Sequence, residues 1–364
     1  MKVLHFILGK ANKDRPNGVN QVIAGICKYS SINGAKIKVI GLASNASNEG
    51  EIISRDKFDV IVYSYWSFKL YKEIIKSFRW CDIVHLHGVY NFSNIIVAFL
   101  ARLNKVPYVL TLHNGLAPKM MKFRKRVFDF VIQKKHIENA SAIHCLAQEE
   151  ASEILERCNP KSFIYAPNGV DLEDYESYSK AINSNSKKQN SNIAIGYLGR
   201  ISEEKNLLNL VKGIEMLNVK DNIILKIAGP KSKYLEKILS HAVSIEIEYV
   251  GPKYGNEKLD FISSLDLFVH PSLADVFSIA AMEVLTIGTP LLISRTSKAS
   301  HFYNTNGFFM CEPTAYGISQ GIQDALDRKN EWSQITQNGK SLILQTFNWD
   351  SVSSILLKAY MKLV

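Results

Sequence analysis

The sequence predicts an α/β protein of two doubly wound domains set face to face. Three observations carry that prediction. The 364-residue chain is longer than one hydrophobic core usually organises. Apolar runs of strand length alternate with helix-length segments, and they do so in two successive rounds. Between the rounds lies a stretch, 177–192, rich in Ser, Asn and Lys and poor in apolar residues. It reads as a hinge.

The first domain is expected over residues 1–176. Its opening run, 3–8, is apolar except for His5 and reads as a buried strand. The N-terminus is too short and too interrupted for a signal peptide. Further strands are expected at 36–42, 60–63, 83–86, 108–112, 142–145 and 163–166, with helices such as 19–30 and 95–104 between them. The second domain, 193–345, is expected to hold strands at 193–198, 223–228, 245–249, 267–270 and 290–293. Residues 279–287 are apolar almost all round, which predicts a buried helix. Residues 349–364 read as an amphipathic helix. There is no internal repeat, and only 183–192 approaches low complexity.

Hydrophobic residues make up 46% and charged residues 21%, as in ordinary globular proteins. No uninterrupted apolar stretch reaches the length of a membrane span. Cys27, Cys81, Cys145, Cys158 and Cys311 show no C-x-x-C spacing, which predicts reduced thiols and a cytoplasmic protein. The net charge of +10 points to an anionic partner. Lys122, Arg124, Lys125 and Arg126 are interleaved with Met121, Phe123, Val127 and Phe128. That pattern fits a basic amphipathic helix lying on an anionic membrane. It fits an ordinary helix with a solvated face equally well. No stacking platform or recognition module appears, so nucleic acid is not an expected partner.

Glu283 is the one ionisable residue in the 279–287 helix. A buried carboxylate needs a partner. That partner is either an Arg or Lys from another segment or a ligand such as a ribose diol, which offers two donors. Asp275 lies eight positions before it. Arg200 follows the 193–198 strand, and Ser202 reads as the N-cap of a helix whose first turn holds Glu203, Glu204 and Lys205. A cation in a first helical turn is mildly unfavourable. Arg200 and Lys205 therefore suit a clamp for phosphate or pyrophosphate, the alternative being a Lys paired with a neighbouring Glu.

These segments resemble a known family along nearly the whole chain: the retaining GT-B-fold glycosyltransferases of family 4 (group 1), of the bacterial surface-polysaccharide type. The resemblance rests on Asn17-Gly18-Val19, Asp82 through Gly88, Thr111-Leu112-His113-Asn114-Gly115, Pro167-Asn168-Gly169-Val170-Asp171, Gly199-Arg200 with Lys205, Ile227-Ala228-Gly229-Pro230, and the Asp275–Glu283 pair. It implies two facing Rossmann-like domains, with the C-terminal segment 346–364 crossing back onto the first. It implies that Arg200 and Lys205 hold the donor's diphosphate, that Glu283 binds the ribose and that Asp275 lies against the donor sugar. Phe277, Ser278 and Ile279 would present backbone amides to phosphate and sugar, and Gly18 would let its loop approach the phosphates. Base contacts are expected around Gly229, Val250 and Gly251. His113 is placed near the transferred sugar, as general base or as hydrogen-bond donor. The donor role is favoured, because in the resembled retaining enzymes the leaving phosphate can take the acceptor's proton.

Two positions depart from the family pattern. The first acid is usually Glu and is Asp275 here, and the Gly after the Phe is Ser278. Both fall where the sugar would sit. His85 and His87 share a strand face, but no third ligand stands at a convincing spacing and no Asp-x-Asp motif occurs. No metal or other cofactor is therefore expected, and the nucleotide sugar is a substrate. The expected activity is transfer from a nucleotide-diphosphate sugar, UDP donors being common in the family. The acceptor would be a hydroxyl of a growing lipid-linked glycan such as an O-antigen or capsule unit. The enzyme would work in the cytoplasm or peripherally on the cytoplasmic face of the inner membrane. The alternatives are a nucleotide-sugar-binding protein with little turnover and a GT-B-fold sugar epimerase.

Overall fold

The computed structural model describes residues 1–11, 18–113, 132–173, 175, 178, 192–218, 222–275, 278–297 and 306–364. Most of the expected hinge, 177–192, falls outside them. Contacts gather the chain into two compact units. One is Met1–Asn168 with Trp349–Val364, the other Gly169–Asn348.

The first unit is built on eight strands: β1 (Lys2–Leu8), β2 (Lys36–Leu42), β3 (Glu51–Arg55), β4 (Phe58–Tyr63), β5 (Ile83–His87), β6 (Tyr108–Thr111), β7 (Ala142–Cys145) and β8 (Phe163–Tyr165). Their order is β3-β4-β2-β1-β5-β6-β7-β8. All pairs are parallel except β3 with β4. Five consecutive residues of β1 are buried, as expected of a central strand covered on both faces. The sequence did not announce β3. It is a short exposed edge strand, joined to β4 through Lys57 in the left-handed region (φ 69°).

Helices α1 (Gly18–Ile32), α2 (Phe68–Phe78), α3 (Phe92–Leu103), α4 (Lys134–Asn139) and α5 (Gln148–Leu155) connect these strands. Helix α3 begins three residues before the predicted start, because Asn91 caps it by accepting from the Ser93 amide. Ser67 caps α2 in the same way through Leu70.

The second unit is a six-stranded parallel sheet: β9 (Ile193–Leu198), β10 (Ile223–Ala228), β11 (Glu246–Gly251), β12 (Leu267–His270), β13 (Leu291–Ser294) and β14 (Phe309–Cys311), ordered β11-β10-β9-β12-β13-β14. Its helices are α6 (Leu207–Glu215), α7 (Lys233–His241), α8 (Gly255–Ser263), α9 (Ile279–Ile287), α10 (Ala315–Asp327) and α11 (Trp332–Thr346). Strand β14 was not expected; it is three residues long. The core joins Ile195, Tyr197, Leu225 and Ile227 of the sheet to Leu210, Ile214 and Ile322 of the helices. In both sheets the first strand sits in the middle, so the strand order reverses beside β1 and beside β9. Ligands of open α/β sheets bind at the carboxyl ends of such strands.

The last helix, α12 (Trp349–Met361), belongs to the first unit and packs on α1. Gly25 makes that packing possible. A Cβ there would lie 2.2 Å from Cε2 of the buried Trp349. Gly25→Ala should therefore lower stability by about 1–3 kcal/mol through overpacking, although Ala is the better helix former. An unchanged midpoint in urea denaturation would mean that the indole shifts freely.

Candidate functional site

The charged residues singled out in the second half of the chain gather at the carboxyl edge of the second sheet. Strand β9 ends at Leu198, and Gly199 turns the chain with φ +154°, as Gly229 does after β10 with φ +159°. The two turns touch. A Cβ on Gly229 would lie 2.0 Å from the Gly199 carbonyl oxygen, so only glycine fits there. The Gly229 amide donates to the Gly251 carbonyl at 3.0 Å, and the Tyr249 hydroxyl donates to the Gly229 carbonyl at 2.9 Å. Val250 and Gly251 are the last residues of β11 rather than part of a following loop, two residues beyond the expected end.

Arg200 is exposed, and its Nη2 donates to Glu204 Oε1 at 2.8 Å. An exposed pair of this kind contributes less than about 1 kcal/mol. Arg200 can thus exchange it for a stronger anion at small cost. Lys205 corrects the sequence reading. Ser202 makes no cap hydrogen bond, and Glu203–Lys205 form a single 3-10 turn. The α-helix begins only at Leu207, after Asn206 in the left-handed conformation (φ 61°). The Asn206 amide donates to the Pro271 and Pro313 carbonyls at 3.0 and 2.8 Å, tying the turn to the loop after β12.

That tie sets Lys205 against Asp275. Lys205 Nζ donates to Asp275 Oδ2 at 2.7 Å, and His270 Nε2 donates to the same oxygen at 2.9 Å. Burial pushes the Asp275 carboxyl up. The His270 hydrogen bond and the Lys205 charge outweigh it and hold the group well below the usual carboxylate range. The cation expected at a phosphate and the acid expected at a sugar are therefore bonded to each other, across 70 positions of sequence. His270 was not singled out from sequence, where it reads only as the polar end of an apolar strand.

Glu283 lies buried on α9, and Lys258 Nζ of α8 donates to its Oε1 at 2.6 Å. The ion pair with another segment, one of the two partners open to it, is thus present. Its Oε2 makes no hydrogen bond with the described residues, which leaves one acceptor oxygen for a hydroxyl. Ser278 is the N-cap of α9 and accepts from the Ala281 amide at 3.3 Å. Its hydroxyl thus closes a helix end, a task that Gly performs only slightly less well. Ile279 is the first residue of α9. Phe277 lies outside the described residues.

In the first unit, Gly18 is the exposed first residue of α1. His113 stands just beyond β6 in the left-handed region (φ 48°). Burial lowers its pKa to about 3, and His144 adds to the effect, so the ring is neutral at physiological pH. Its Nε2 lies 3.2 Å from His87 Nδ1. His87 Nε2 in turn lies 3.0 Å from His5 Nδ1. No sequence spacing linked His5 to His85 and His87; the β1–β5 register does, setting His5 directly opposite His85. Lys122, Arg124, Lys125 and Arg126 lie outside the described residues. All five cysteines are buried thiols. No helix among the described residues is long and apolar enough to cross a membrane.

Comparison with known proteins covers both units. The family model of Glycosyltransferase Family 4 matches residues 16–174, and that of Glycosyl transferases group 1 matches residues 179–342. The chain belongs to this glycosyltransferase family. A lipopolysaccharide 1,2-N-acetylglucosaminetransferase of Salmonella typhimurium is 28% identical to it over 218 residues. That match covers 54% of this glycosyltransferase and 56% of the relative, so the chain spans little more than half of that relative's length. An uncharacterized glycosyltransferase of Methanocaldococcus jannaschii is 21% identical, over 77% of this chain and 75% of the other. The Anabaena HepE protein, solved in complex with UDP and glucose, superposes with a TM-score of 0.79 at 15% identity, over 100% of both chains. At that identity the likeness shows the fold, which is GT-B.

Proposed function

We propose that this glycosyltransferase moves a sugar, with retention of configuration, from a UDP-sugar to a hydroxyl of a growing lipid-linked surface glycan, an O-antigen or capsule chain. The observation that carries the reading is the Lys205–Asp275 bond at the point where the second sheet reverses its strand order, with Arg200 at the end of β9 on the same edge. A diphosphate arriving there meets a guanidinium fork and an ammonium. It can draw Lys205 from Asp275 and leave the carboxylate facing the sugar. Glu283 Oε2 then takes a ribose hydroxyl, the amides at Ser278 and Ile279 take phosphate or sugar oxygens at a helix start, and Gly229, Val250 and Gly251 border the base. Arg200 and Lys205 supply the positive charge, so the reading includes no divalent cation.

The choice of UDP draws on the ligand of the HepE complex. The choice of a surface glycan draws on the Salmonella transferase. Residues on the first unit also suit a lipid-linked acceptor. Trp66 and Phe68 are each 87% exposed, and Lys69 and Lys72 follow them. Aromatic side chains beside cations favour a membrane interface. Failure to co-sediment with anionic vesicles would remove the peripheral-membrane part.

A thermal-shift series with UDP, GDP, CDP and ADP, followed by product analysis with the sugar forms, tests the rest. UDP should give the largest shift. Slow release of sugar without acceptor should mark an enzyme rather than a binding protein, and the anomeric configuration of the transfer product reads retention directly. Arg200→Ala should raise the Kd for UDP about tenfold or more and leave uridine binding unchanged. A chain stabilised by no nucleotide, or an Arg200→Ala variant that binds UDP like the wild type, overturns the assignment.

A further inference from the structure

One face of the first sheet carries two rows of imidazoles, buried except for the half-buried His113, and their hydrogen-bond partners assign their protons. The first row ends on a backbone carbonyl. Ala166 O can only accept, so His144 Nε2 donates to it at 2.8 Å. Burial lowers the pKa of His144 to about 4 and holds that of His85 well below its ordinary value. Both are neutral at physiological pH and carry one N–H each. His144 Nδ1 must then accept, and it takes the hydroxyl proton of Thr111 at 2.8 Å. The Thr111 oxygen accepts from His85 Nε2 at 2.6 Å. His85 Nδ1 is left as acceptor for the Tyr360 hydroxyl of α12, also at 2.6 Å.

Ligand atoms of His5, His85 and His87 lie within 4.8 Å of one another. A metal needs an open lone pair on each imidazole. The single lone pair of His85 is occupied by the Tyr360 proton, so in this arrangement His85 does not offer it to a metal.

The second row is His5, His87 and His113, joined at 3.0 and 3.2 Å. Burial keeps these rings neutral as well. The row can run in either direction, and His5 Nε2 decides which. That atom is buried and has no hydrogen-bond partner among the described residues. Were the row to run toward His5, Nε2 would carry a buried N–H with no acceptor. Run the other way, it is a bare lone pair. Orphaned buried N–H groups are the rarer defect. His5 Nδ1–H therefore donates to His87, and His87 Nδ1–H donates to His113 Nε2. The proton of His113 then sits on Nδ1, which makes no hydrogen bond with the described residues. The left-handed backbone of His113 is one that a non-glycine residue keeps only when its surroundings hold it.

We propose that His87, backed by His5, is a positioning residue that fixes His113 in the Nδ1–H form, so that His113 donates a hydrogen bond to a hydroxyl of the transferred sugar and does not act as a base. The donation rests on the reading that His113 meets that sugar; the tautomer does not. Neutral histidine in water prefers the opposite, Nε2–H form, so the preference imposed here is measurable.

Long-range proton–nitrogen NMR on the nitrogen-15-labelled full chain reads it. A pyrrole-type Nδ1 and a pyridine-type Nε2 at His113 are expected, and the reverse pattern overturns the proposal even if no variant folds. His87→Leu removes the donor that holds the ring in one form, and His113 should then show a mixture of the two tautomers. Its kcat should fall about tenfold, the loss of one hydrogen bond, with KM for the donor sugar little changed. His87→Gln keeps an N–H in place and should recover most of the kcat and the wild-type pattern. Equal turnover in wild type, His87→Leu and His87→Gln overturns the positioning role. Full turnover in His113→Ala, with the wild-type chain still showing the Nδ1–H form, overturns the donation and leaves the tautomer assignment standing.

Discussion

Lys258→Met should destabilise the protein by about 3–5 kcal/mol. Lys258 Nζ sits 2.6 Å from Glu283 Oε1, with side-chain exposures of 15% and 8%. Methionine matches the length of the lysine stem but offers no charge, and it leaves a carboxylate on a helix that carries no other charge. The cost comes from the stranded charge rather than from the value of the pair, since a buried pair replaced as a whole is often neutral. The double variant Lys258→Met/Glu283→Gln should therefore recover more than half of the loss. Urea denaturation of the four proteins closes the cycle. A single-variant loss under about 1 kcal/mol would mean that water reaches the carboxylate and that the pair behaves as a surface one. The same cycle bears on function. If Glu283 also takes a ribose hydroxyl, the double variant should fold well yet discriminate poorly between a UDP donor and its 2′-deoxy analogue.

The sheet strands were legible wherever they are buried on both faces, because a parallel strand between helices writes itself as an unbroken apolar run. Strands 36–42, 142–145, 193–198, 223–228 and 267–270 end where the sequence puts them. So does the helix 279–287, whose Gly288 terminates it in the left-handed conformation (φ 90°). The edge strand β3 was not legible, since Glu51, Ser54 and Arg55 dilute its two isoleucines and pairing to a single neighbour demands little pattern. Of the site, the residue types were readable and the partners were not. Nothing local to Lys205 announces Asp275, and nothing local to Glu283 announces Lys258. His5 looks like a flaw in an apolar strand until the register sets it beside β5. Contacts of this kind are products of sheet order, and a single chain records that only indirectly. The turn at Glu203–Lys205 was misread for a related reason. Its capping serine is local, but the Asn206 bonds that stop the helix from starting there reach 65 and 107 residues along the chain.

Asp275→Asn should lower kcat about a hundredfold while the Kd for UDP stays level or improves. The scale follows from removing one fixed charge from a preorganised site. The split follows from the ion pair. Asp275 offsets the charge of Lys205, so binding a diphosphate must break or share the 2.7 Å bond. Asparagine keeps the shape and can still accept from His270, but it frees the full ammonium charge for phosphate. The sugar, in contrast, loses the anion expected to face it. Because folding holds this carboxyl below its usual range, its contribution to stability is complete at neutral pH. That contribution is lost only as the solution is acidified from the ordinary aspartate range toward the depressed value. The group should therefore produce no acid limb in kcat/KM, which reports the ligand-free enzyme, between about pH 5 and 8, and any limb seen there should persist in Asp275→Asn. Parallel losses of kcat and UDP affinity would instead identify Asp275 as a brace for the Lys205 turn, with no part in handling the sugar.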